Sequence, residues 1–400
     1  TQAGVRRRLL DMTGRCWSCG RPGPEPFYRL EGIPISSCVL LDSRDEAIGF
    51  PKGDLELAFC DGCGFIQNSL FDPELLDYSQ DYEESQGFSP TFATFAQGLV
   101  DRLVGRYEIR GKKVFEVGCG KGDFLSMLCK TGDNRGLGID PGYREGRIAP
   151  DVDARVIPEF FTEPVPELTG DLICCRHTLE HIQPVGEFVG LIAKSAKQTD
   201  HSVVFFEVPD TLRILDEGAF WDVYYEHCSY FTLGSLGRLF RACGFHPSSL
   251  RTGYDDQYLL LVASLDEAPS SGAYPGDDDL DRVRAGVRSF VEATGAAIDD
   301  WDRRISKAAS AGKKTVIWGA SSKGVAFLTS IESGPSVEYA VDINPFKKGR
   351  FLPGAGQQIV GPDFLQDYEP DLVVVMNSIY LEEIRSDLAE RGLNPEMVAV

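Results

Sequence analysis

The stretch YYEHCSYF, residues 224–231, places Glu226 and His227 side by side in an otherwise aromatic and apolar run. Aromatic segments of this kind usually lie in a core, where an adjacent acid and imidazole both lose their hydration. Histidine and glutamate are also the side chains that most often hold or transfer protons near neutral pH. The pair is therefore a candidate for acid–base chemistry. The alternative is a buried, satisfied His227 with Glu226 as its partner.

Four cysteines form two C-x-x-C units, CWSCG and CDGCG, about 40 residues apart. Two such units can supply four thiolates to one tetrahedral Zn²⁺. A glycine follows each unit, and glycine readily takes the positive φ that lets backbone N–H groups point at the sulfur atoms. Disulfides or a redox pair are the alternatives. We predict a closed, structural Zn²⁺ site with the ligands Cys16, Cys19, Cys60 and Cys63.

A glycine turn lies in KKVFEVGCGKGDFLSML, which predicts an apolar strand, the turn and the start of a helix. Gly118 and Gly120 let a ligand approach the backbone at the carboxyl edge of the strand. A second apolar strand ends about 20 residues later in Asp140, which can accept hydrogen bonds from both hydroxyls of a ribose. Taken alone, these features fit either a dinucleotide or S-adenosylmethionine.

Three features favour S-adenosylmethionine. The spacing is G-x-G-x-G, without the third glycine of the dinucleotide fingerprint. Glu116 stands just before the turn, where an acid can meet the cationic amine side of the ligand. DLICCRHTLEHI, residues 171–182, predicts a fourth strand that runs into a short helical segment. This succession resembles class I S-adenosylmethionine-dependent methyltransferases; a Rossmann-like sheet without a ligand is the alternative.

The same resemblance supplies further cofactor residues. In that family the HTLEH stretch forms a wall beside the ligand, so His177 is assigned there. We expect a structural or positioning role for His177 and His181, not a catalytic one. Phe161, in the EFF of residues 159–161, falls where such folds often place a side chain against the adenine, with core packing as the alternative. The predicted set is completed by Asp123 and Phe124, at the start of the helix.

The neighbouring elements decide where residues 224–231 lie. HSVVFFEVP, residues 201–209, predicts the fifth strand, and TLGSLGRLFRACGF, residues 232–245, predicts the helix that follows. The stretch is then a loop at the sheet edge that holds the glycine turn. Ligands bind at the carboxyl ends of such strands. Glu226 and His227 are therefore expected beside the methyl group of the cofactor.

A second strand–turn–helix pattern begins at KTVIWGASSKGVAFL, and the strand after it ends in Asp342. G-A-S-S-K-G is not a dinucleotide fingerprint, so NAD is not expected there. The helix start, with Lys323, can take an anion. The unit is either a structural buttress or a grip on the nucleotide end of an acceptor.

Length and composition restrict the remaining possibilities. The 400 residues predict two or three domains, and the net charge of −21 argues against a nucleic-acid partner. No apolar run reaches the roughly 20 residues of a membrane span, so no membrane partner is expected. Eleven cysteines, several in apolar strands, indicate a reduced, cytoplasmic protein. A monomer and a homodimer remain equally open.

Three domains are predicted from these patterns. Residues 1–75 form a zinc-binding module, and residues 76–265 form the methyltransferase core. Residues 266–400 contain a linker at 266–279, a long helix at about 280–311 and a Rossmann-like domain. The fold class is α/β, with a class I methyltransferase core between two smaller units.

The combination resembles the sugar C-methyltransferases. The domain order is its most specific feature, followed by YYEH after the fifth strand and by GASSKG. Such enzymes methylate a carbon of nucleotide-linked keto-sugars, typically dTDP-linked, in deoxysugar or antibiotic biosynthesis. Two positions depart from the usual pattern: Tyr225 stands where an aspartate is common, and the first turn is GCGKGD where G-C-N-D-G is common.

The resemblance implies a role for each residue of the motif. His227 removes a proton from the carbon beside a ketone, while Tyr224 and Glu226 hold the sugar and stabilise the enolate. Tyr225, Lys323 and Asp342 are assigned to acceptor binding. An O- or N-methyltransferase of the same architecture remains an alternative, since a hydroxyl acceptor also needs a base. A zinc-anchored binding protein without turnover is a rival from another class.

Overall fold

The computed structural model describes residues 14–76, 82–164, 166–266 and 277–400, which form three sheets. The strands are β1 (Glu25–Pro34), β2 (Lys52–Phe59), β3 (Ile66–Asn68), β4 (Lys113–Val117), β5 (Arg135–Ile139), β6 (Ala154–Ile157), β7 (Leu172–Arg176), β8 (Val203–Pro209), β9 (Ser229–Tyr230), β10 (His246–Gly253), β11 (Tyr258–Ser264), β12 (Thr315–Trp318), β13 (Tyr339–Val341), β14 (Gln358–Val360), β15 (Leu372–Val375) and β16 (Glu396–Ala399). The α-helices of these ranges are Arg44–Ile48, Pro90–Arg106, Asp123–Gly132, Val185–Ala196, Thr211–Glu217, Leu233–Ala242, Leu280–Ser310, Ser322–Ser330, Leu365–Tyr368 and Leu381–Glu390.

The central sheet has seven strands in the order β10-β11-β8-β7-β4-β5-β6. β4 to β8 run parallel, and β11 is antiparallel to both of its neighbours. All five residues of β7 are buried, as expected for a parallel strand covered on both faces. The strand order reverses direction at β4 and β7. Ligands of open α/β sheets bind at such a switch point, outside the carboxyl ends of the strands.

The N-terminal module does not have a sheet of its own. Its strands β1, β2 and β3 form an antiparallel sheet that is completed by β9 from the core. β9 consists of Ser229 and Tyr230, so it is the end of the stretch YYEHCSYF. The backbone N–H of Asn68 also donates to the carbonyl of Cys228 over 2.9 Å. The module therefore holds the loop that carries Glu226 and His227.

The C-terminal part consists of the long helix Leu280–Ser310 and a parallel sheet in the order β14-β13-β12-β15-β16. The long helix packs against both other parts of the chain: the ring of Phe290 contacts that of Tyr28 with centroids 5.0 Å apart, and Gly286 faces Leu215. The predicted linker falls mainly on residues 267–276, which lie outside the described residues. None of the described helices combines the length and apolar character that a membrane span requires.

Candidate active site

The carboxyl ends of the central and C-terminal sheets open on one cavity of about 1110 Å³. Its walls come from the first glycine turn, the loop after β8, residues 82–89 and the second glycine turn. A site for one small molecule usually has about 300–1,000 Å³. The cavity therefore has room for two ligands, one against each sheet edge.

The first glycine turn forms one end of the cavity. Gly118 and Gly120 have φ values of 69° and 53°, which L side chains rarely adopt. A Cβ at Gly118 would collide with Thr178, and one at Gly120 would lie 2.5 Å from Oε1 of Glu84. Both the conformation and the crowding therefore require glycine, and the predicted turn is present with its backbone on the cavity wall.

Asp140 lies beside this turn at the end of β5. Its carboxylate accepts hydrogen bonds from the backbone N–H groups of Gly120, over 2.9 Å, and Gly142, over 2.8 Å. A carboxylate offers about four acceptor positions, so two are left for a ligand after these bonds are made. The placement fits the predicted contact with ribose hydroxyls.

Two further carboxyl groups, those of Glu116 and Glu84, face the cofactor end. Glu116 is 2% exposed, and its Oε2 makes no hydrogen bond within the described residues. Burial raises the pKa of Glu116 to about 8, although Arg176 opposes the shift. Burial likewise raises the pKa of Glu84 to about 7, against the effect of Lys121, whose Nζ lies 3.7 Å away. A cationic ligand would favour ionisation of both groups.

Sequence reasoning identified Glu116 but missed Glu84. Glu84 belongs to the irregular segment that precedes the helix Pro90–Arg106, about 35 residues before the turn it contacts. No periodic pattern or motif marks it. Only the folded chain places it over Gly120.

The aromatic wall of the cofactor end contains two neighbouring rings. Phe161 lines the cavity as predicted but is only 9% exposed, and its ring contacts that of Phe115 with centroids 5.8 Å apart. Phe160 lines the same cavity with 60% of its surface exposed. Phe161 is therefore mostly a core-packing residue, which was the alternative to adenine contact. Phe160 is the more accessible ring for an adenine.

The start of the helix Asp123–Gly132 also lines this end. The carboxylate of Asp123 accepts a hydrogen bond from Oγ of Ser85 over 2.7 Å. Phe124 is buried, with the guanidinium of Arg176 4.1 Å from its ring centroid. Both residues are on the cavity wall, where the sequence placed them.

His177 is held in an ionic network on the cavity wall. Its Nδ1 lies 3.5 Å from Glu180 and its Nε2 lies 3.3 Å from Glu207. Burial disfavours its charge, but the two carboxylates outweigh burial and raise the pKa of His177 to about 9. Glu207 also pairs with Arg176 over 2.5 Å. His177 is therefore cationic near neutral pH and shapes the wall, consistent with the positioning role expected for it.

Three rings meet at the middle of the cavity. The ring centroids of Tyr224 and His227 are 4.2 Å apart, and those of His181 and His227 are 4.7 Å apart. His181 comes from the short helical turn after β7, and the other two come from the loop after β8. All three line the cavity. Sequence reasoning gave His181 a positioning role but did not place it against His227.

The protonation states of Tyr224 and His227 suit a base and a hydroxyl donor. Burial lowers the pKa of His227 well below its usual value, and the nearby His181 and His177 act in the same direction. His227 is therefore neutral near pH 7, with one unprotonated ring nitrogen. Burial raises the pKa of Tyr224 well above its usual value, with Asp222 and Glu226 adding to the shift. Its hydroxyl therefore keeps its proton.

The contacts of Glu226 differ from its predicted role, which was to hold the sugar or His227. Its carboxylate accepts from the backbone N–H of Ser37 over 3.1 Å, from the Ser37 hydroxyl, from Ser36 over 3.3 Å and from Tyr82 over 3.1 Å. Its side chain is 1% exposed and is not part of the cavity wall. The backbone carbonyl of Glu226 instead accepts from Nδ1 of His181 over 3.0 Å. Glu226 is thus a positioning residue that fastens the loop to the N-terminal module.

Tyr225 also lies away from the predicted acceptor site. The residue is 1% exposed, and its ring packs against that of Phe71 with centroids 5.6 Å apart. Its hydroxyl accepts from the backbone N–H of Asp72 over 3.0 Å. Adjacent residues of this loop point to opposite sides, so Tyr224 faces the cavity while Tyr225 enters the core. The assignment of Tyr225 to acceptor binding is therefore withdrawn.

The second glycine turn forms the opposite end of the cavity, where Lys323 and Asp342 both line the wall. Nζ of Lys323 lies 3.0 Å from Asp222, and Asp342 lies 2.9 Å from Nζ of Lys347. Burial lowers the pKa of Lys323, against the effect of Asp222. The start of the helix Ser322–Ser330 faces the same space, because Ser321 and Ser322 are on the wall.

The four predicted metal ligands come together at one point. Sγ of Cys16 lies 3.6 Å from Sγ of Cys63, and Sγ of Cys19 lies 3.7 Å from Sγ of Cys60. A tetrahedral Zn²⁺ with Zn–S bonds of about 2.3 Å has S–S edges of about 3.8 Å. The backbone N–H groups of Gly20 and Gly64 close the two knuckles onto the carbonyls of Cys16 and Cys60. The donor set fits structural zinc and leaves no position open for catalysis.

Comparisons with known proteins agree with this construction. Residues 91–250 match a family described as a methyltransferase domain, and residues 280–393 match a C-methyltransferase C-terminal domain. The C-methyltransferase NovU of Streptomyces niveus is 26% identical over 404 aligned residues, covering 92% of this chain and 90% of NovU.

Two solved structures are also similar to part of the chain. The methyltransferase CalO1, with S-adenosylhomocysteine bound, is 19% identical and has a TM-score of 0.33, covering 43% of this chain and 54% of its own. The magnesium protoporphyrin IX methyltransferase of Synechocystis PCC 6803 is 15% identical with a TM-score of 0.34, covering 46% of this chain and 90% of its own.

The seven-stranded sheet, the glycine turn and the domain match define an S-adenosylmethionine-dependent methyltransferase with a class I core. S-adenosylmethionine, when bound, supplies an electrophilic methyl group at the carboxyl ends of the strands. The C-terminal domain match and the similarity to NovU over 92% of this chain both point to similarity with S-adenosylmethionine-dependent C-methyltransferases.

Proposed function

We propose that this enzyme methylates the carbon beside the ketone of a nucleotide-linked keto-sugar, in deoxysugar or antibiotic biosynthesis. The observation that carries the proposal is the cluster of His227, Tyr224 and His181 between the two ends of one cavity. A carbon acceptor needs a base and a group that stabilises an enolate. Both are available in this cluster, close to the predicted cofactor turn.

His227 and Tyr224 have separate roles in forming the enolate. Neutral His227 takes the proton from the carbon beside the carbonyl, and the electron pair of the C–H bond moves into the enolate. The Tyr224 hydroxyl donates to the developing enolate oxygen, an electrostatic contribution that lowers the barrier. With S-adenosylmethionine bound at the first glycine turn, the enolate carbon would take its methyl group, and the sulfur would keep the electron pair of the broken bond. His227 returns its proton to solvent before the next turnover.

The nucleotide end of the acceptor is assigned to the C-terminal side of the cavity. There the start of the helix Ser322–Ser330 provides backbone N–H groups for a phosphate, with Lys323 beside them. Asp342 lines the same end of the cavity. The volume of about 1110 Å³ supports this assignment, because a sugar alone would leave much of the cavity empty.

The proposal is tested by proton exchange without methyl transfer. The enzyme is incubated in heavy water with S-adenosylhomocysteine and each of a panel of dTDP-linked keto-sugars. We expect deuterium to enter the carbon beside the ketone, as measured by mass spectrometry, and we expect His227→Ala to abolish the enzyme-dependent part. A sample without enzyme gives the rate of spontaneous exchange.

The same experiment separates the rival acceptors. An O- or N-methyltransferase would transfer label from S-adenosylmethionine without catalysing carbon exchange. Methylation of a sugar hydroxyl by the wild-type enzyme, with exchange no faster than in the sample without enzyme, would refute C-methylation of these sugars. Product analysis then identifies the methylated atom directly.

A further inference from the structure

A second cluster of metal-ligand type lies inside the cavity. One donor atom each from Glu180, His181 and His227 falls within 4.8 Å of the other two. Glu180 and His227 are buried, and His181 is half-buried. Two imidazoles and one carboxylate are a donor set that suits borderline divalent cations such as Zn²⁺.

Glu180 is available as a ligand. Its side chain is 2% exposed, and neither carboxylate oxygen makes a hydrogen bond within the described residues. Nδ1 of His177 lies 3.5 Å from Oε1 of Glu180. That contact leaves Oε2 for an ion.

The orientation of His181 also favours metal binding. Nδ1 of His181 donates to the carbonyl of Glu226 over 3.0 Å, which fixes the orientation of the ring. Metal-binding histidines commonly have this arrangement, in which one ring nitrogen is held by a carbonyl and the other binds the ion. The carboxylate of Glu226 is in turn fastened to Ser36 and Ser37, so the carbonyl is well anchored.

We propose that Glu180, His181 and His227 form a second divalent-metal site, distinct from the four cysteines, which binds Zn²⁺ or a similar ion in place of the keto-sugar. A tetrahedral ion with ligands at about 2.0–2.1 Å needs donors about 3.3 Å apart. The three donor atoms lie within 4.8 Å of one another, so the distance between any two of them shortens by at most about 1.5 Å on binding. All three side chains line the cavity, which gives the ion a route of entry.

The consequence for catalysis rests on the function proposed above. A metal on His227 occupies the lone pair that would remove the proton, so the metal-bound enzyme is inactive. We therefore expect Zn²⁺ to inhibit competitively with the acceptor. Binding of S-adenosylmethionine, which uses the other end of the cavity, should change little.

Metal binding can be measured without turnover. Purified enzyme, which keeps its cysteine-bound zinc, is dialysed against micromolar free Zn²⁺, and bound zinc is counted by atomic emission. We expect two ions per chain for the wild type and one for Glu180→Gln and His181→Asn. Crystals soaked in Zn²⁺ should give an anomalous peak between the three side chains.

His246→Asn is the matched control, because His246 is exposed on β10 and remote from the cavity. This variant should still bind two ions. One ion per chain in the wild type, or a second ion that persists in both cavity variants, would overturn the site. If the second ion binds but no keto-sugar is methylated, the metal site stands and the proposed function fails, so the two outcomes are distinguishable.

Discussion

Two strand–turn–helix units, at residues 113–132 and 315–330, both line the cavity. They differ in how completely their charged side chains are paired. At the first, Glu116 and Glu84 each have a buried carboxylate oxygen without a hydrogen bond in the described part of the chain, and Nζ of Lys121 lies 3.7 Å from Glu84, beyond hydrogen-bond distance. At the second, Lys323 is paired with Asp222, and Asp342 with Lys347.

The difference indicates what each end receives. A buried carboxyl group such as that of Glu116 is costly to ionise unless a ligand brings positive charge, so the first end suits a cation such as S-adenosylmethionine. At the second end the ion pairs balance the side-chain charges, and the backbone N–H groups at the start of the helix Ser322–Ser330, with the ammonium of Lys323 beside them, can donate to a ligand. Such donors suit an anion, which is what the phosphates of a nucleotide-linked acceptor would present.

The largest expected effect comes from the group between the two ends. His227→Ala should lower turnover by about 10²–10⁴-fold, the usual contribution of a positioned base. Affinity for S-adenosylmethionine, measured by calorimetry, should stay within about twofold, because the first end is untouched. His246→Ala serves as the control and should retain normal turnover and normal affinity for S-adenosylmethionine. Near-normal turnover in the cavity variant would return YYEHCSYF to a core-packing role.

The next effect tests the first end alone. Asp140→Ala removes the acceptor assigned to the ribose hydroxyls, so the Kd for S-adenosylmethionine should rise by about 10-fold or more. The KM for the acceptor should change little if the two ends are independent. Thermal unfolding checks that the loss of the bonds to Gly120 and Gly142 has not unfolded the turn. Unchanged cofactor affinity in a folded variant contradicts the assignment.

A smaller effect is expected at the second end. Lys323→Met should raise the KM for a dTDP-linked acceptor by about three- to tenfold and leave cofactor affinity unchanged, since one charged contact to the acceptor is lost. Asp222 keeps Arg213 as a partner over 2.5 Å, so the variant does not bury an unpaired acid. Lys348→Met, at an exposed position of the same domain, is the matched control. An equal loss of affinity for S-adenosylmethionine would contradict the assignment of Lys323 to the acceptor end alone.

The smallest effect is a pH dependence confined to the first end. Burial raises the pKa of Glu116 to about 8 and that of Glu84 to about 7, so both are partly protonated near neutrality. A cation binds the ionised forms, so affinity for S-adenosylmethionine should rise by about two- to fivefold as pH rises from 6.5 to 8.5. Calorimetry in buffers of different ionisation enthalpy should detect the released protons. Glu116→Gln should make the affinity for S-adenosylmethionine less dependent on pH. An affinity of the wild type that falls with rising pH would contradict the prediction.

Much of the fold was predictable because its determinants are local. The two C-x-x-C units close into knuckles through their own glycines, and the first turn needs Gly118 and Gly120 for their positive φ values. The long helix was predicted at about 280–311 and runs over Leu280–Ser310. Each of these features depends on backbone conformation or on spacing along a few residues, which the sequence displays directly.

The sequence by itself determined the residue types of the site: the glycines, the cysteines, and the histidine and tyrosine of residues 224–231. Only the tertiary structure decided their directions. Glu226 points to Ser36 and Ser37, nearly 190 residues away, and Tyr225 enters the core beside Phe71. His181 meets His227 because two strands of a parallel sheet end side by side. Such contacts depend on how distant segments pack, and no local pattern encodes them.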